Sequence, residues 1–248
     1  MLRVTIILHH ICNRNCTYCN LGEPPQEQKY SDSAMIHRFK RTIKQLESVY
    51  GTNWIPQIQG GEPTIWSPEL IHEVIRALWK YPNKVLLTNG SNKDTEWYRA
   101  PGWHMITHIT DWEPDVEELH RRIMSLEPQE EALVVVTNDL LPTVKEFRRK
   151  YPLVRVTFSP ADGPHKQYAL TAEQVRELQS ITDIPDMYTL PKIQGTCMKR
   201  IAVIDLEQGL FFPCCKQSTY YPLNAYFGQY PTCSGCLLND NNFDIPKS

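Results

Sequence analysis

"RVTIILHHICNRNCTYCN", residues 3–20, sets an apolar β-branched run directly before three cysteines, Cys12, Cys16 and Cys19. The run "RVTIIL" (3–8) has the character of a strand buried on both faces. Five similar runs follow: "IPQIQ" (55–59), "KVLLT" (84–88), "MITHIT" (105–110), "ALVVVT" (132–137) and "VRVTFS" (154–159). Most lead into a stretch with helical spacing, namely residues 33–50, 67–81, 114–126, 141–151 and 171–181, with Ser67 a candidate N-cap and Pro68 in the first turn. About six βα units in a row predict a parallel sheet with right-handed crossovers, curled into a partial barrel or left open. Either way the functional loops belong at the carboxyl ends of the strands, and the cysteines fall on that edge.

The rest of the composition is ordinary. The 248 residues are 41% hydrophobic and 22% charged with a net charge of −2, enough for one large α/β domain or a domain with an appendage. No fixed-period repeat occurs, and only the polar tail "NDNNFDIPKS" (239–248) suggests disorder. Basic residues are scattered, which argues against broad nucleic-acid binding. No run approaches the ~20 apolar residues of a membrane span, and the first apolar stretch is too short for a signal peptide. A soluble cytoplasmic protein is therefore expected. There, eight cysteines point to metal or redox chemistry rather than disulfides. They form two groups, Cys12, Cys16, Cys19 and Cys197, Cys214, Cys215, Cys233, Cys236, with none in residues 20–196.

Three thiolates close together can bind three irons of a [4Fe-4S] cluster and leave the fourth open to a substrate or cofactor. They can also supply most of a zinc site completed by His9 or His10, although that adjacent pair reads more readily as structural. The pattern C-x3-C-x2-C after a first strand, with Tyr18 just before the last cysteine, resembles the signature of radical S-adenosylmethionine (SAM) enzymes. The resemblance implies a partial (βα)6 TIM-like barrel. It also implies a [4Fe-4S] cluster on Cys12, Cys16 and Cys19 that binds SAM, and a 5′-deoxyadenosyl radical that abstracts hydrogen from the substrate. Tyr18 would pack on the adenine side.

Two further stretches fit. "QGGEPT" (59–64) matches that family's GGEP motif, so Gly60, Gly61, Glu62 and Pro63 would line the methionine end of SAM, where glycines permit close backbone approach. Strand three ends in "TNG", whose Thr88 and Asn89 are the corresponding candidates there. Singly, "GG" is usually a turn and "TNG" a strand end. The chain departs from the family at strand five, where "ALVVVTNDLL" lacks the glycines of the adenine-contact motif found in some members. Thr110, Asp111, Thr137, Asn138, Ser159 and Asp162 stand at strand ends near enough to serve, or to act as caps and turns.

Beyond residue 190 the character changes. "RIAVIDL" and "LFFPC" form a hairpin pattern around "EQG", with Cys197 before it, Cys214 at its end and "CSGC" (Cys233, Cys236) later. Four thiolates so arranged can close a metal site, zinc or iron-sulfur. The layout resembles the shortened SPASM or "twitch" domain of radical SAM enzymes, implying residues 1–190 as the barrel and 191–248 as a small cysteine-rich β-hairpin domain. That domain would carry an auxiliary [4Fe-4S] cluster on Cys197, Cys214, Cys233 and Cys236. Cys214 and Cys215 could exchange that role. Length and layout are also similar to those of the radical SAM dehydrogenase that oxidises an amino-cyclitol in butirosin biosynthesis.

The resemblance implies an oxidoreductase or maturase that draws electrons from a flavodoxin- or ferredoxin-type donor. An auxiliary cluster would assist oxidation, crosslinking or epimerisation. Peptide-modifying members often carry a leader-binding domain before strand one, and this sequence starts almost at that strand. A small molecule, or a peptide presented by a partner, is therefore expected as substrate, with a nucleoside or nucleotide as alternative. A non-catalytic zinc-binding interaction module is the reading from another class. No residue stands out as the catalytic base or acid.

Overall fold

A computed structural model describes residues 2–16, 18–19, 24–25, 27–109, 114–161, 169–182, 195–196, 201–212, 221–222 and 232–233. Six strands and their helices alternate as expected. They are β1 (Leu2–Ile7), α1 (Asp32–Tyr50), β2 (Trp54–Gln59), α2 (Pro68–Ala77), β3 (Lys84–Thr88), α3 (Glu96–Arg99), β4 (Trp103–His108), α4 (Val116–Met124), β5 (Glu130–Val136), α5 (Leu141–Lys150), β6 (Thr157–Pro160) and α6 (Ala172–Ile181). After them come β7 (Gly195–Thr196), β8 (Ile201–Asp205), β9 (Leu210–Phe212), β10 (Tyr221–Pro222) and β11 (Thr232–Cys233).

The helices start where their caps dictate. The Ser67 side chain accepts the Leu70 N–H at 3.1 Å with Pro68 in the first turn, and the Asp115 carboxylate accepts the Glu118 N–H at 2.8 Å. Thr171 and Gln174 form a reciprocal capping box at α6. Along α1, Met35, Ile36, Phe39, Ile43 and Leu46 repeat at helical spacing and bury one stripe.

The main sheet runs β10-β9-β8-β1-β2-β3-β4-β5-β6. The seven strands from β8 to β6 are parallel, and β9 and β10 are antiparallel additions. Two edges remain, so the sheet is an open partial barrel. The predicted hairpin forms, and its first strand lies in parallel register beside β1, with Asp205 opposite Ile7. Among the described residues of the C-terminal segment, a separate two-stranded ribbon pairs β7 with β11.

Alternation along the strands gives each residue a face. Val4, Ile6 and Leu8, with Trp54, Ile58, Leu86 and Met105, pack beneath α1 and α2 in one apolar cluster. A second, under α4, α5 and α6, gathers Val134, Val136, Phe147 and Phe158. Residues on the opposite face, such as Thr5, Gln57, Leu87, Ile106 and His108, line the concave side. No helix among the described residues is long and apolar enough to cross a membrane.

Candidate functional site

The loops after β1, β2 and β3 carry the cysteines, the double glycine and "TNG", and these three strands are neighbours in the sheet. Cys12, Cys16 and Cys19 are all half-buried, with a turn closed by the Cys19 N–H donating to the Cys16 carbonyl at 3.0 Å. Tyr18, on that turn, is half-buried. The Sγ of Cys12 accepts the Arg14 N–H at 3.4 Å and the Asn89 side-chain amide at 3.9 Å. Burial pushes the Cys12 thiol above its ordinary range, and the Arg14 N–H opposes that shift only in part. A coordinating metal would reverse the direction and deprotonate the thiol.

The β2 loop is pressed against the backbone that leads into the cysteines. Gly61 has φ +44, and a Cβ on it would lie 1.8 Å from the Ile11 carbonyl oxygen. On Gly60, at φ +114, a Cβ would lie 2.5 Å from the Ile7 side chain. Only glycine fits both the dihedrals and the space. The Glu62 N–H then donates to the Ile11 carbonyl at 2.8 Å, joining the two loops directly.

Glu62 is buried, and both its carboxylate oxygens are engaged within the protein. Oε1 accepts the Thr64 N–H at 2.9 Å, the Thr64 hydroxyl at 2.7 Å and the Thr88 hydroxyl at 2.6 Å. Oε2 accepts the Asn89 N–H at 2.5 Å. Glu62 therefore braces the β2 loop to the end of β3. Pro63 opens a single 3-10 turn, and its carbonyl accepts the indole N–H of buried Trp97 at 3.2 Å. Asn89 also donates to Asn13 Oδ1 at 3.0 Å, and Asn13 donates to Ser91 Oγ at 2.9 Å. The structure thus brings together Cys12, Cys16, Cys19, Gly60, Gly61, Glu62, Pro63, Thr88 and Asn89.

His9 and His10 are buried at the base of the cysteine loop, facing the carboxylates of Asp205, the last residue of β8, and Glu207, in the turn that follows. Asp205 Oδ2 lies 2.9 Å from His10 Nε2, and Glu207 Oε2 accepts the His10 backbone N–H at 2.6 Å. Burial works against charge on the His10 ring, but the Asp205 hydrogen bond and the Asp205 and Glu207 charges outweigh it and raise its pKa. For His9, burial prevails over Glu207 and Asp32, and the pKa is lowered. Neither Asp205 nor Glu207 stands out in the sequence, where "IDLEQG" is simply a strand end and a turn. Asn13 and Ser91 were equally hidden, although each lies within or beside a motif.

Of the other strand-end candidates, Thr137 caps the turn before α5 by accepting the Leu140 N–H at 3.3 Å, and Asn138 donates to the Ala169 carbonyl at 2.8 Å. Ser159 lies half-buried on β6. Thr110, Asp111, Asp162, Cys197, Cys214, Cys215 and Cys236 lie outside the described residues. The backbone of Cys233 pairs with Gly195. His108 was not anticipated. It ends β4 on the concave side, its Nε2 is shielded from solvent without a hydrogen-bond partner, and burial, aided by nearby Arg14, lowers its pKa to about 4.

Among the described residues no three His, Cys, Asp or Glu side chains form a group that could hold a metal ion as they stand. Three half-buried thiols on one loop, one already met by two N–H donors, are the donor type that an iron-sulfur cluster takes, one thiolate per iron.

No protein-family model matches the chain, and a search of curated proteins finds no significant match. Solved structures do match. The anSMEcpe structure with bound AdoMet has a TM-score of 0.61 at 15% identity, over 86% of this chain and 74% of that one. SuiB of Streptococcus suis bound to S-adenosylmethionine gives 0.59 at 12% identity, over 93% and 63%. SuiB bound to the precursor peptide SuiA gives 0.57 at 12% identity, over 86% and 59%. The chain therefore spans less than two thirds of SuiB. At these identities the likeness is one of fold: seven parallel strands in an open α/β sheet with helices between them.

Proposed function

We propose that this chain is a radical SAM enzyme in which Cys12, Cys16 and Cys19 hold a [4Fe-4S] cluster whose fourth iron is left to SAM. When bound, that pair supplies a hydrogen-abstracting 5′-deoxyadenosyl radical through one-electron cleavage of SAM. The observation that carries the reading is the side-by-side placement of three motifs on neighbouring strand ends, joined by the Glu62–Ile11, Glu62–Asn89 and Asn89–Cys12 hydrogen bonds. The chain's own residues then have defined tasks. Gly60 and Gly61 remove side chains where backbone must approach closely, Glu62 holds both loops at fixed separation, and Asn89 directs an N–H at a ligand sulfur. Tyr18, Pro63 and Thr88 complete the SAM-binding edge.

Residues 191–248 form the twitch-like part in this reading and residues 1–190 the barrel. Cys197, Cys214, Cys233 and Cys236 hold an auxiliary [4Fe-4S] cluster. The pairing of Cys233 with Gly195, two residues before Cys197, supports a shared site. Because β8 belongs to the main sheet, the second part is anchored through β8 to β1.

The substrate class we favour is a peptide, which the enzyme would oxidise, crosslink or epimerise in the cytoplasm with a flavodoxin- or ferredoxin-type donor. Support comes from two proteins of this fold solved with peptides, SuiB with SuiA and anSMEcpe with the Cp18Cys peptide. Purification without air followed by metal analysis tests the proposal, with roughly eight irons per chain expected for two clusters. Adding SAM and dithionite should release 5′-deoxyadenosine, and Cys16→Ala should abolish that release. A colourless protein with stoichiometric zinc and no deoxyadenosine would instead identify a non-catalytic zinc-binding module.

A further inference from the structure

Glu207 belongs to none of the sequence motifs, yet it touches both ends of the cysteine loop. It sits in the β8–β9 turn and is 4% exposed. Oε2 accepts the N–H of His10 at 2.6 Å, and Oε1 accepts the N–H of Lys29 at 3.2 Å. His10 immediately precedes and Lys29 immediately follows residues 11–28, the stretch that carries Cys12, Cys16 and Cys19. One carboxylate thus closes that stretch at its base with two charge-assisted hydrogen bonds.

The turn that presents Glu207 is itself held. Leu206 continues the β8–β1 ladder by donating to the Ile7 carbonyl at 2.8 Å, and Asp205 accepts the Gln208 N–H at 2.8 Å while its other oxygen meets the His10 ring. His9 fills the remaining space, with Nδ1 3.6 Å from Glu207 and Nε2 3.7 Å from Asp32. A loop tied at both ends samples fewer conformations than one tied at a single end.

We propose that Glu207 is a positioning residue that sets the separation of the three thiols before metal binds, so that the C-terminal hairpin pre-forms the N-terminal cluster site. The significance for catalysis rests on the function proposed above, but the closure of the loop does not. Glu207→Gln separates the two roles a carboxylate could have here. Its volume is unchanged, but its one oxygen can take the place of only one of the two carboxylate oxygens, so its NH2 must face the other backbone N–H.

The full-length chain, before and after reconstitution with ferrous iron and sulfide, provides the test. Amide hydrogen exchange at His10 and Lys29 should accelerate by about tenfold or more at one of the two positions, as expected for the loss of one buried hydrogen bond. Iron should be released to bipyridyl faster by a similar factor. Glu47→Gln, which perturbs a distant contact with the Tyr81 hydroxyl at 2.7 Å, should change neither. Unchanged protection at both amides, or unchanged iron release, would overturn the proposal. A chain that takes up no iron refutes the proposed function instead, and the exchange data alone then decide whether Glu207 closes the loop. If Glu207→Gln does not fold, Glu207→Asp keeps the charge but cannot reach both amides, and the same two readouts apply.

Discussion

Gly61→Ala offers the sharpest quantitative test of how the two loops are seated. The new Cβ would lie 1.8 Å from the Ile11 carbonyl oxygen, whereas real contacts of this kind essentially never fall below 3.0 Å, so the loops must separate by at least 3.0 − 1.8 = 1.2 Å. The Glu62 N–H to Ile11 bond, now 2.8 Å, cannot survive that separation. Losing it leaves a donor and an acceptor unpaired, at a cost of about 1–3 kcal/mol. The left-handed backbone adds about 1–2 kcal/mol for any residue with a Cβ. The expected destabilisation is therefore about 3 kcal/mol. Gly51→Ala supplies the control within the same chain, because Gly51 also has positive φ, +60, but a Cβ there meets nothing within 4 Å. It should lose only a backbone part, about 1–3 kcal/mol, because its ψ of −141 lies outside the left-handed α well. Urea midpoints at constant slope measure both variants, and iron uptake of the folded protein shows whether the cysteine loop has moved. If Gly61→Ala proves no more costly than Gly51→Ala and binds iron normally, the close seating has no energetic meaning.

Glu62→Gln should cost about 2–3 kcal/mol, because the amide can keep the Thr64 and Thr88 bonds but must turn its NH2 towards the Asn89 N–H. Faster hydrogen exchange at Asn89 is the readout, and unchanged exchange there would refute the bracing role. His108 predicts an acid sensitivity. Its folded pKa of about 4 lies below the ordinary 6.5, so the unfolded chain binds more protons between those values. The stability is present in full above pH 6.5 and is lost as pH falls towards 4, by about 2–3 kcal/mol at pH 4.5. His108→Leu should remove that component of the pH dependence, measured by urea midpoints at pH 7.5 and 4.5. Equal losses in the two proteins would show that His108 is not held neutral by its surroundings.

The six βα units were legible because strands buried on both faces are continuous apolar runs and because caps such as Ser67 mark helix starts. Boundaries moved by up to four residues, the largest shift being α2, which ends at Ala77 rather than at 81. β4 begins at Trp103, ahead of the apolar run that drew attention to it, and β6 begins at Thr157. The four-residue helix Glu96–Arg99 was missed, being too short to show a period. At the site, the motif residues were visible as residue types that ligands demand, and their convergence follows from the order of neighbouring strands. What was not legible was everything that depends on β8 lying beside β1, because pairing across some 197 positions leaves no local trace. Asp205 and Glu207 acquire meaning only from that pairing. His9 and His10 read as structural, but the carboxylates that they face could not be named.

The same pairing has a consequence for biosynthesis. A ribosome adding about 5–20 residues per second takes roughly 10–40 s to advance from His10 to Glu207. During that interval the first strand has no neighbour on one side, and the stretch bearing the three thiols lacks both of the hydrogen bonds that Glu207 gives it. Scaffold proteins that deliver iron and sulfide would meet a finished receptacle only after most of the polypeptide has been made. Nascent chains arrested before residue 207 should therefore load poorly, however well their first six strands have assembled.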